Sequence, residues 1–271
     1  MSMTVAVLVA TPAHSSVSGP LTYLSERTLA PGTLVRVPLG RREVLGLVWE
    51  PGEPAGQAGT DLELRPVTEV LDGIAPLTPA WRQLVAFAGR YYQRSAGEVA
   101  LAALPPPLRE LGNTQIQRRL KRLTGEKRDI QDGGRAPALE AAPSPTAEQV
   151  TALAAIEAGN GPFLLFGSTG SGKTEVYLRS VASLLAADPA AQALVMVPEI
   201  NLTPQLEARF RARFGAGALV SMHSGMTPPQ RLASWLAAHS GQARIVLGTR
   251  MAVFAALPRL RLIVVDEEHD P

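Results

Sequence analysis

Apolar positions in this chain follow two different periods, and the change between them divides the sequence. Up to about residue 75, apolar residues come in short runs separated by Gly, Pro and charged residues. Residues 4–10 read as a strand and Thr33–Val37 as a second. Glu43–Trp49 returns as a third through the turn Pro38-Leu39-Gly40-Arg41-Arg42, a hairpin signal with glycine in its loop. Pro51–Gly59 reads as a Pro/Gly-rich loop and Leu64–Leu71 as a further strand. The period then becomes helical. Thr78-Pro79 starts a helix, with Thr78 as N-cap and Pro79 at the first helical position, and Trp81, Leu84, Val85, Phe87, Ala88 and Tyr91 mark its buried face. Ala96–Leu104 reads as a short second helix ended by Pro105-Pro106-Pro107, since proline cannot continue one.

Residues 109–145 change character. Gln115–Arg128 holds six basic residues and one acidic one, and Gly133-Gly134, Pro137, Pro143 and Pro145 mark an exposed linker. Two readings of Arg118, Arg119, Lys121 and Arg122 stand side by side: a phosphate-contacting patch, or a solvated tether, favoured because no aromatic residue is interleaved to stack bases. From Pro145 onward, helices and strands alternate. The helices are Thr146–Ala158 with Thr146 as N-cap, one running to about Ala187, Pro204–Arg213 and Pro228–Ala238. The strands are Phe163–Phe166, which reads as buried, Ala193–Val197, Ala218–Ser221, Arg244–Gly248 and Leu260–Asp266. Strands alternating with helices of 10–15 residues predict βαβ units and a parallel sheet. The expected class is α/β, a parallel-sheet lobe over 146–271 preceded by a small, mostly β domain over 1–108, with 109–145 between them. No internal repeat is present.

Composition narrows the function classes. With 271 residues, 46% hydrophobic and 18% charged, the chain is long enough for two domains with real cores. No apolar run approaches the roughly 18 residues of a membrane span, and the N-terminus lacks a basic segment followed by a long apolar core. There are no cysteines, which excludes disulfides and thiolate metal sites and fits a cytoplasmic protein. The net charge is +2. Residues 1–108 carry 8 basic and 9 acidic residues, 109–145 carry 8 and 5, and 146–271 carry 10 of each, so the excess sits in the middle.

The densest chemistry lies in Gly167-Ser168-Thr169-Gly170-Ser171-Gly172-Lys173-Thr174. It fits G-x-x-x-x-G-K-[ST], flanked by an apolar run and a helical pattern as a phosphate-cradling P-loop requires. Glycines let backbone N–H groups approach phosphates, and the helix N-terminus favours their charge. Lys173 is expected to reach the β/γ-phosphates of a nucleoside triphosphate and the Thr174 hydroxyl to ligate Mg²⁺. The last strand ends Val265-Asp266-Glu267-Glu268-His269. A carboxylate at the C-terminal end of a buried parallel strand sits beside the phosphate site, so Asp266 is expected to hold the same Mg²⁺ and Glu267 to orient the attacking water. Gln149 lies 18 residues before Gly167; it reads either as an adenine-contacting amide or as an exposed helical glutamine. The loops Pro198–Thr203 and Gly248-Thr249-Arg250 fall on the ligand edge of the sheet, where Arg250 is a candidate nucleic-acid backbone contact and Thr203 and Thr249 are candidate caps. His14 and His223 read as structural, since neither has a partner at metal spacing.

Taken together, Gly167–Glu175 with Val176-Tyr177, Val197-Pro198-Glu199-Ile200, His223-Ser224-Gly225, Gly248-Thr249-Arg250 and Asp266-Glu267-Glu268-His269-Asp270 resemble the PriA family, the primosomal protein N′ group of superfamily 2 replication-restart helicases. Val35–Gly40 and Trp81…Tyr91-Tyr92…Gly97-Glu98-Val99…Ala103-Leu104-Pro105 are similar to that family's N-terminal DNA-binding domain, so the resemblance covers nearly the whole chain. It implies a first RecA-like lobe, ATP and Mg²⁺ as cofactors, and a 3′→5′ DNA helicase. That helicase recognises stalled forks and works with other primosome proteins and single-stranded DNA-binding protein. Leu21-Thr22-Tyr23 and Leu39-Gly40 match the family's 3′-end site, although family members often carry an acidic residue at the Thr22 position. The family's winged helix is expected to be missing or vestigial within 109–145. The chain stops at Pro271, before the family's second lobe, arginine finger and Cys-rich zinc insertion, and the absence of cysteine leaves no zinc ligands here. Without the finger, which is worth about 10³–10⁵ in rate, weak hydrolysis is expected. Two alternatives remain: a DNA-end or fork-binding module with an idle ATP site, and an unrelated P-loop ATPase such as a metabolic kinase or transporter subunit.

Overall fold

A computed structural model describes residues 2–11, 19–50, 64–132, 143–159, 161–168, 170–199 and 202–267. The expected loop at Pro51–Gly59, His14, the Gly/Pro stretch after 132, Thr169, Glu268 and His269 lie outside the described residues. The fold divides into two compact units. One comprises residues 1–125, 226–240 and 254–258, and the other 126–225, 241–253 and 259–271.

The first unit is built on a five-stranded antiparallel sheet. Its strands are β1 (Met3–Val9), β2 (Leu21–Ser25), β3 (Leu34–Leu39), β4 (Arg42–Val48) and β5 (Glu69–Val70), in the spatial order β2-β1-β4-β3-β5. Alternation does what the pattern predicted: Val7, Val9, Tyr23, Val35, Val37 and Val48 form one buried cluster. The expectation for Leu64–Leu71 shrinks to the two residues of β5 and an isolated bridge from Leu24 to Pro66, because proline has no N–H for a ladder. Strand β2 was not anticipated; its Leu-Thr-Tyr-Leu-Ser alternates too briefly to stand out. Helices α1 (Pro79–Tyr91) and α2 (Ala96–Ala103) are capped by Thr78 and Ser95, whose side chains accept from Trp81 N and Glu98 N. Helix α2 seats closely on β1: a Cβ on Gly97 would come within 2.2 Å of the Val9 carbonyl oxygen.

The basic stretch departs from expectation. Helix α3 runs over Asn113–Asp132 where a linker was expected. Its residues are mostly strong helix formers, and Ile116 is fully buried with Leu120 and Leu123 half-buried on the same stripe. Its first turn is held by Glu69, whose carboxylate accepts from Asn113 N at 2.9 Å. Arg118, Arg119, Lys121 and Arg122 are exposed on this helix, so an irregular tether is the wrong description of them. The same unit includes α7 (Pro228–His239). The indole of Trp235 stacks on His239 with centroids 4.9 Å apart, and His239 Nε2 lies 2.8 Å from Ala75 O. Trp81 Nε1 donates to Phe254 O at 2.9 Å.

The second unit carries the parallel sheet. Helix α4 (Ala147–Ala158) precedes α5 (Lys173–Ala187), then β6 (Gln192–Met196), α6 (Pro204–Phe214), β7 (Leu219–Met222), β8 (Ile245–Gly248) and β9 (Leu260–Val265). The strands order β7-β8-β6-β9, all pairs parallel. Tyr177, Leu178 and Val181 of α5 pack with Phe210 of α6 and with Val195 and Leu247 of the sheet. The run Phe163–Phe166 corrects the sequence reading. It is not a buried strand: it forms no ladder, and Phe163, Leu164 and Phe166 are 49%, 81% and 95% exposed. Apolar content favours an extended chain, but a strand exists only where a partner takes its N–H and C=O groups, and none of the described strands does so here.

One buried cation ties the first unit together. Arg36 on β3, 7% exposed, donates to Leu108 O at 3.0 Å, to Leu111 O at 2.8 Å and to Arg109 O. Replacing it by methionine leaves three carbonyls without their donor, at about 1–3 kcal/mol for a buried group left unmade. Arg36→Met should lower the urea unfolding free energy by at least about 2 kcal/mol. An unchanged midpoint would show that water replaces the guanidinium.

Candidate nucleotide and nucleic-acid site

The P-loop is shaped by two left-handed glycines. Gly170 has φ 82° and Gly172 φ 87°, a region that glycine enters without cost. Gly172 is the N-cap of α5 and no side chain caps that end; of the first-turn N–H groups, that of Glu175 donates to Gly172 O at 3.0 Å, and an anion suits the others. A Cβ on Gly172 would also lie 2.4 Å from Gln149 Nε2. Gln149 itself is committed. Its Nε2 donates to Gly172 O at 3.2 Å, and its Oε1 accepts from Thr146 N at 3.0 Å in a capping box. It therefore ties the start of α4 to the phosphate loop, which makes it more than an exposed helical glutamine. Ser171 N donates to Ser168 O at 3.1 Å. Lys173 Nζ donates to Gly167 O at 2.6 Å and to Ser168 O at 3.1 Å, folding the loop around its own ammonium.

Strand β9 delivers the acidic end. The N–H of Asp266 donates to Met196 O at 2.8 Å, extending the ladder one residue past the strand. Tyr177, one turn into α5, has its hydroxyl 3.5 Å from Asp266 Oδ2, and the same hydroxyl reaches the Thr174 side chain. Burial pushes the Tyr177 hydroxyl pKa up to about 12, so it stays a protonated donor at neutral pH. Burial, then the neighbouring Glu267 carboxylate, push the Asp266 carboxyl above its ordinary value, with the Glu267 backbone N–H, Lys173 and Tyr177 pulling it back. Glu267 has φ 51°, a strained backbone for a non-glycine residue of the kind that collects at functional sites. The oxygens of Thr174 and Asp266, joined through one phenol, are the hard oxygen donors that Mg²⁺ takes alongside substrate phosphates.

The loops after β6, β7 and β8 line a cleft of about 330 Å³ with Glu199, Leu202, Glu207, His223, Ser224 and Thr249. Ser224 Oγ donates to Glu199 Oε1 at 2.9 Å. Thr203 caps α6 through Leu206 N. Arg250 is exposed at the start of the 3₁₀ turn Arg250–Phe254.

In the first unit the predicted contacts separate. Thr22 is exposed on β2. Tyr23 is not presented to a ligand: it is 4% exposed and its hydroxyl donates to Pro38 O at 3.0 Å. Its aromatic ring at an alternating position made it a core residue, which corrects the expectation of a DNA contact by this side chain. Gly40, φ 62°, forms the β3–β4 turn, and its carbonyl accepts from Arg65 Nη1 at 2.6 Å. Arg65 was not singled out from sequence, and Tyr177 was named only within the family-like run Val176-Tyr177, with no role at the site. Tyr177 was legible as the residue one turn after Thr174, whereas nothing in the pattern joined Arg65 to Gly40. Among the described residues no His/Cys/Asp/Glu cluster suited to a metal occurs, and the cysteine-free sequence does not fit a zinc-thiolate site. Among the described residues no helix is long and apolar enough to cross a membrane.

A small antiparallel-sheet module and a P-loop lobe with a parallel sheet in one chain define the class, a modular P-loop protein. Residues 6–105 match the family model of the PriA 3′DNA-binding domain, and residues 146–270 match that of the DEAD/DEAH box helicase. The chain is 31% identical over 303 residues to the replication restart protein PriA of Haemophilus influenzae, covering 88% of this chain and 41% of that protein. It is 32% identical over 254 residues to that of Helicobacter pylori, covering 93% and 35%. With the Bacillus subtilis protein it shares 47% identity over 108 residues, 40% of this chain and 13% of the relative. The chain therefore spans less than half the length of these relatives. It belongs to the PriA family, whose N-terminal part it matches.

The raised Asp266 carboxyl has a stability signature. A carboxyl with a folded-state pKa above its unfolded value of 3.8 binds more protons folded than unfolded. Its favourable contribution is therefore present at acid pH and lost as pH rises through the folded pKa. Asp266→Asn removes the ionised group, so at pH 7 it should raise the thermal midpoint and flatten the fall in stability above about pH 4. Parallel profiles for the two proteins would show that Asp266 ionises without cost.

Proposed function

We propose that this chain supplies the DNA-end recognition and the first ATP-binding lobe of a 3′→5′ replication-restart helicase, working in the cytoplasm on forked or single-stranded DNA. Other primosome proteins and single-stranded DNA-binding protein are its proposed partners. The observation that carries the reading is the convergence of Lys173, Thr174 and Asp266 at the uncapped N-terminus of α5. In this reading the backbone N–H groups of Gly170–Thr174 bind the phosphates, Lys173 leaves its loop carbonyls for the β/γ-oxygens, and Thr174 and Asp266 hold Mg²⁺. When bound, the cation neutralises charge on the transferring phosphoryl group. Glu267 orients the attacking water, and Glu268 and His269 complete the acidic box. Gln149, anchored to Gly172, reads the adenine edge from the preceding helix. Thr22 and the Gly40 turn flank the DNA 3′ end in the first unit, and Arg250 contacts the DNA backbone at the sheet edge.

A second reading has its own support. Lys173 already donates to two loop carbonyls, so a DNA-fork-binding module with an idle nucleotide site fits the same geometry. A fluorescent ATP analogue separates the two. With Mg²⁺ present, Lys173→Ala should weaken its binding by about 10- to 100-fold, the worth of charge-assisted bonds to phosphate. Equal affinities for the two proteins, together with fork binding indifferent to ATP, would favour the idle site.

A further inference from the structure

The side chain of Tyr177 is used by neither the P-loop motif nor the acidic box, yet it touches both. It sits on α5 three residues after Thr174, so the two share a helix face. Its ring is 6% exposed and stacks on Phe210 with centroids 6.4 Å apart and planes at 20°. Phe210 in turn contacts Phe214 at 5.9 Å. The ring is therefore locked by packing, and its hydroxyl is held 3.5 Å from Asp266 Oδ2 and within reach of Thr174.

A threonine hydroxyl that ligates a cation does so through an oxygen lone pair, and its proton must go to an acceptor elsewhere. A phenol is both acceptor and donor. We propose that Tyr177 is a positioning residue for the Mg²⁺ site: its oxygen accepts a hydrogen bond from Thr174 and its O–H donates to Asp266 Oδ2, turning the lone pairs of both ligands toward one cation. The inference rests on the nucleotide-site reading above. It assigns to a core aromatic the part that outer-sphere hydrogen bonds play in fixing metal ligands. Asp266 is reached from β9 and Thr174 from α5. Tyr177 is thus the side-chain link between the two elements that must keep a fixed separation while a nucleotide enters.

The test is the Mg²⁺ dependence of nucleotide binding by the full chain, followed with the fluorescent ATP analogue and needing no turnover. Tyr177→Phe keeps the ring on Phe210 and removes only the hydroxyl, and a thermal melt checks that the fold is retained. Binding in EDTA should match the wild type within twofold. The Mg²⁺ concentration for half-maximal enhancement should rise by about 10-fold or more. In a Thr174→Ala background, Tyr177→Phe should add little further effect, because the linked ligand is already gone. Three results would overturn the proposal: an unchanged Mg²⁺ dependence, an equal weakening with and without Mg²⁺, or additive effects of the two substitutions. The underlying nucleotide-site reading fails separately, through an unaltered affinity in Lys173→Ala.

Discussion

The parallel pairing of β6 with β9 is the constraint from which the site is built. Its register sets Met196 beside Val265, and the next backbone bond, Asp266 N–H to Met196 O, fixes where the acidic turn leaves the sheet. One residue of slip would turn every side chain of β9 to the opposite face. Leu262 and Val264, now packed against the core, would trade places with Ile263 and Val265. Slippage is resisted because β6 is buried along nearly its whole length. Hydrophobic burial in the sheet thereby fixes where the Asp266 backbone leaves it, and the face that packs Val195 and Leu247 also packs the Tyr177 ring.

Much of this was readable in the chain. The helices α4 to α7 and strands β6 to β9 follow from apolar period and from Thr-Pro and Thr-x-x-Gln starts, signals that act locally. Thr78, Thr146, Thr203 and Thr227 all cap as such residues should. What was not readable depends on partners far along the chain. Nothing local says that Phe163–Phe166 lacks a ladder. Charge concealed the stripe of Ile116, Leu120 and Leu123 in α3, whose first turn is fixed by a carboxylate 44 residues earlier in sequence. Tyr23 was chosen by motif, yet the period of β2 assigns it to the core. At the nucleotide site the motif residues were legible and the links between them were not: Gln149 and Tyr177 stood out in the sequence, but their hydrogen bonds to Gly172 and Asp266 join partners that only the fold brings near.

The two units solve the burial of charge in different ways. In the first, the buried Arg36 and Arg82 donate mainly to backbone carbonyls, with Arg82 also paired to Glu50 at 2.7 Å. A guanidinium never loses its proton and offers five donors, so it can pin several irregular segments at once: Arg36 holds the chain after the 3₁₀ turn Pro106–Arg109, and Arg82 holds Pro31 and Leu77. Such a cation is a structural rivet. In the second unit the carboxyl of Asp266 stands where the surroundings disfavour its charged form.

That contrast follows from function and points to how the site is poised. A rivet must have its hydrogen bonds complete in the resting fold. A binding site must leave some of its needs unmet, or meet them with partners that yield. Lys173 illustrates the second case: its ammonium rests on two neutral carbonyls, and phosphate oxygens, being charged, form roughly twofold stronger bonds to it. On the proposed reading of the site, exchange would run from the two carbonyls toward the phosphate. Asp266 illustrates the first: burial and Glu267 raise the cost of its charge, and a divalent cation supplies the opposing charge that Lys173 alone, engaged elsewhere, does not. Strain at Glu267 belongs to the same design, since it holds backbone in a conformation that the surrounding packing must sustain. On the proposed reading of the site, such costs would be offset when nucleotide and cation arrive together, which is why the binding of each should depend on the other.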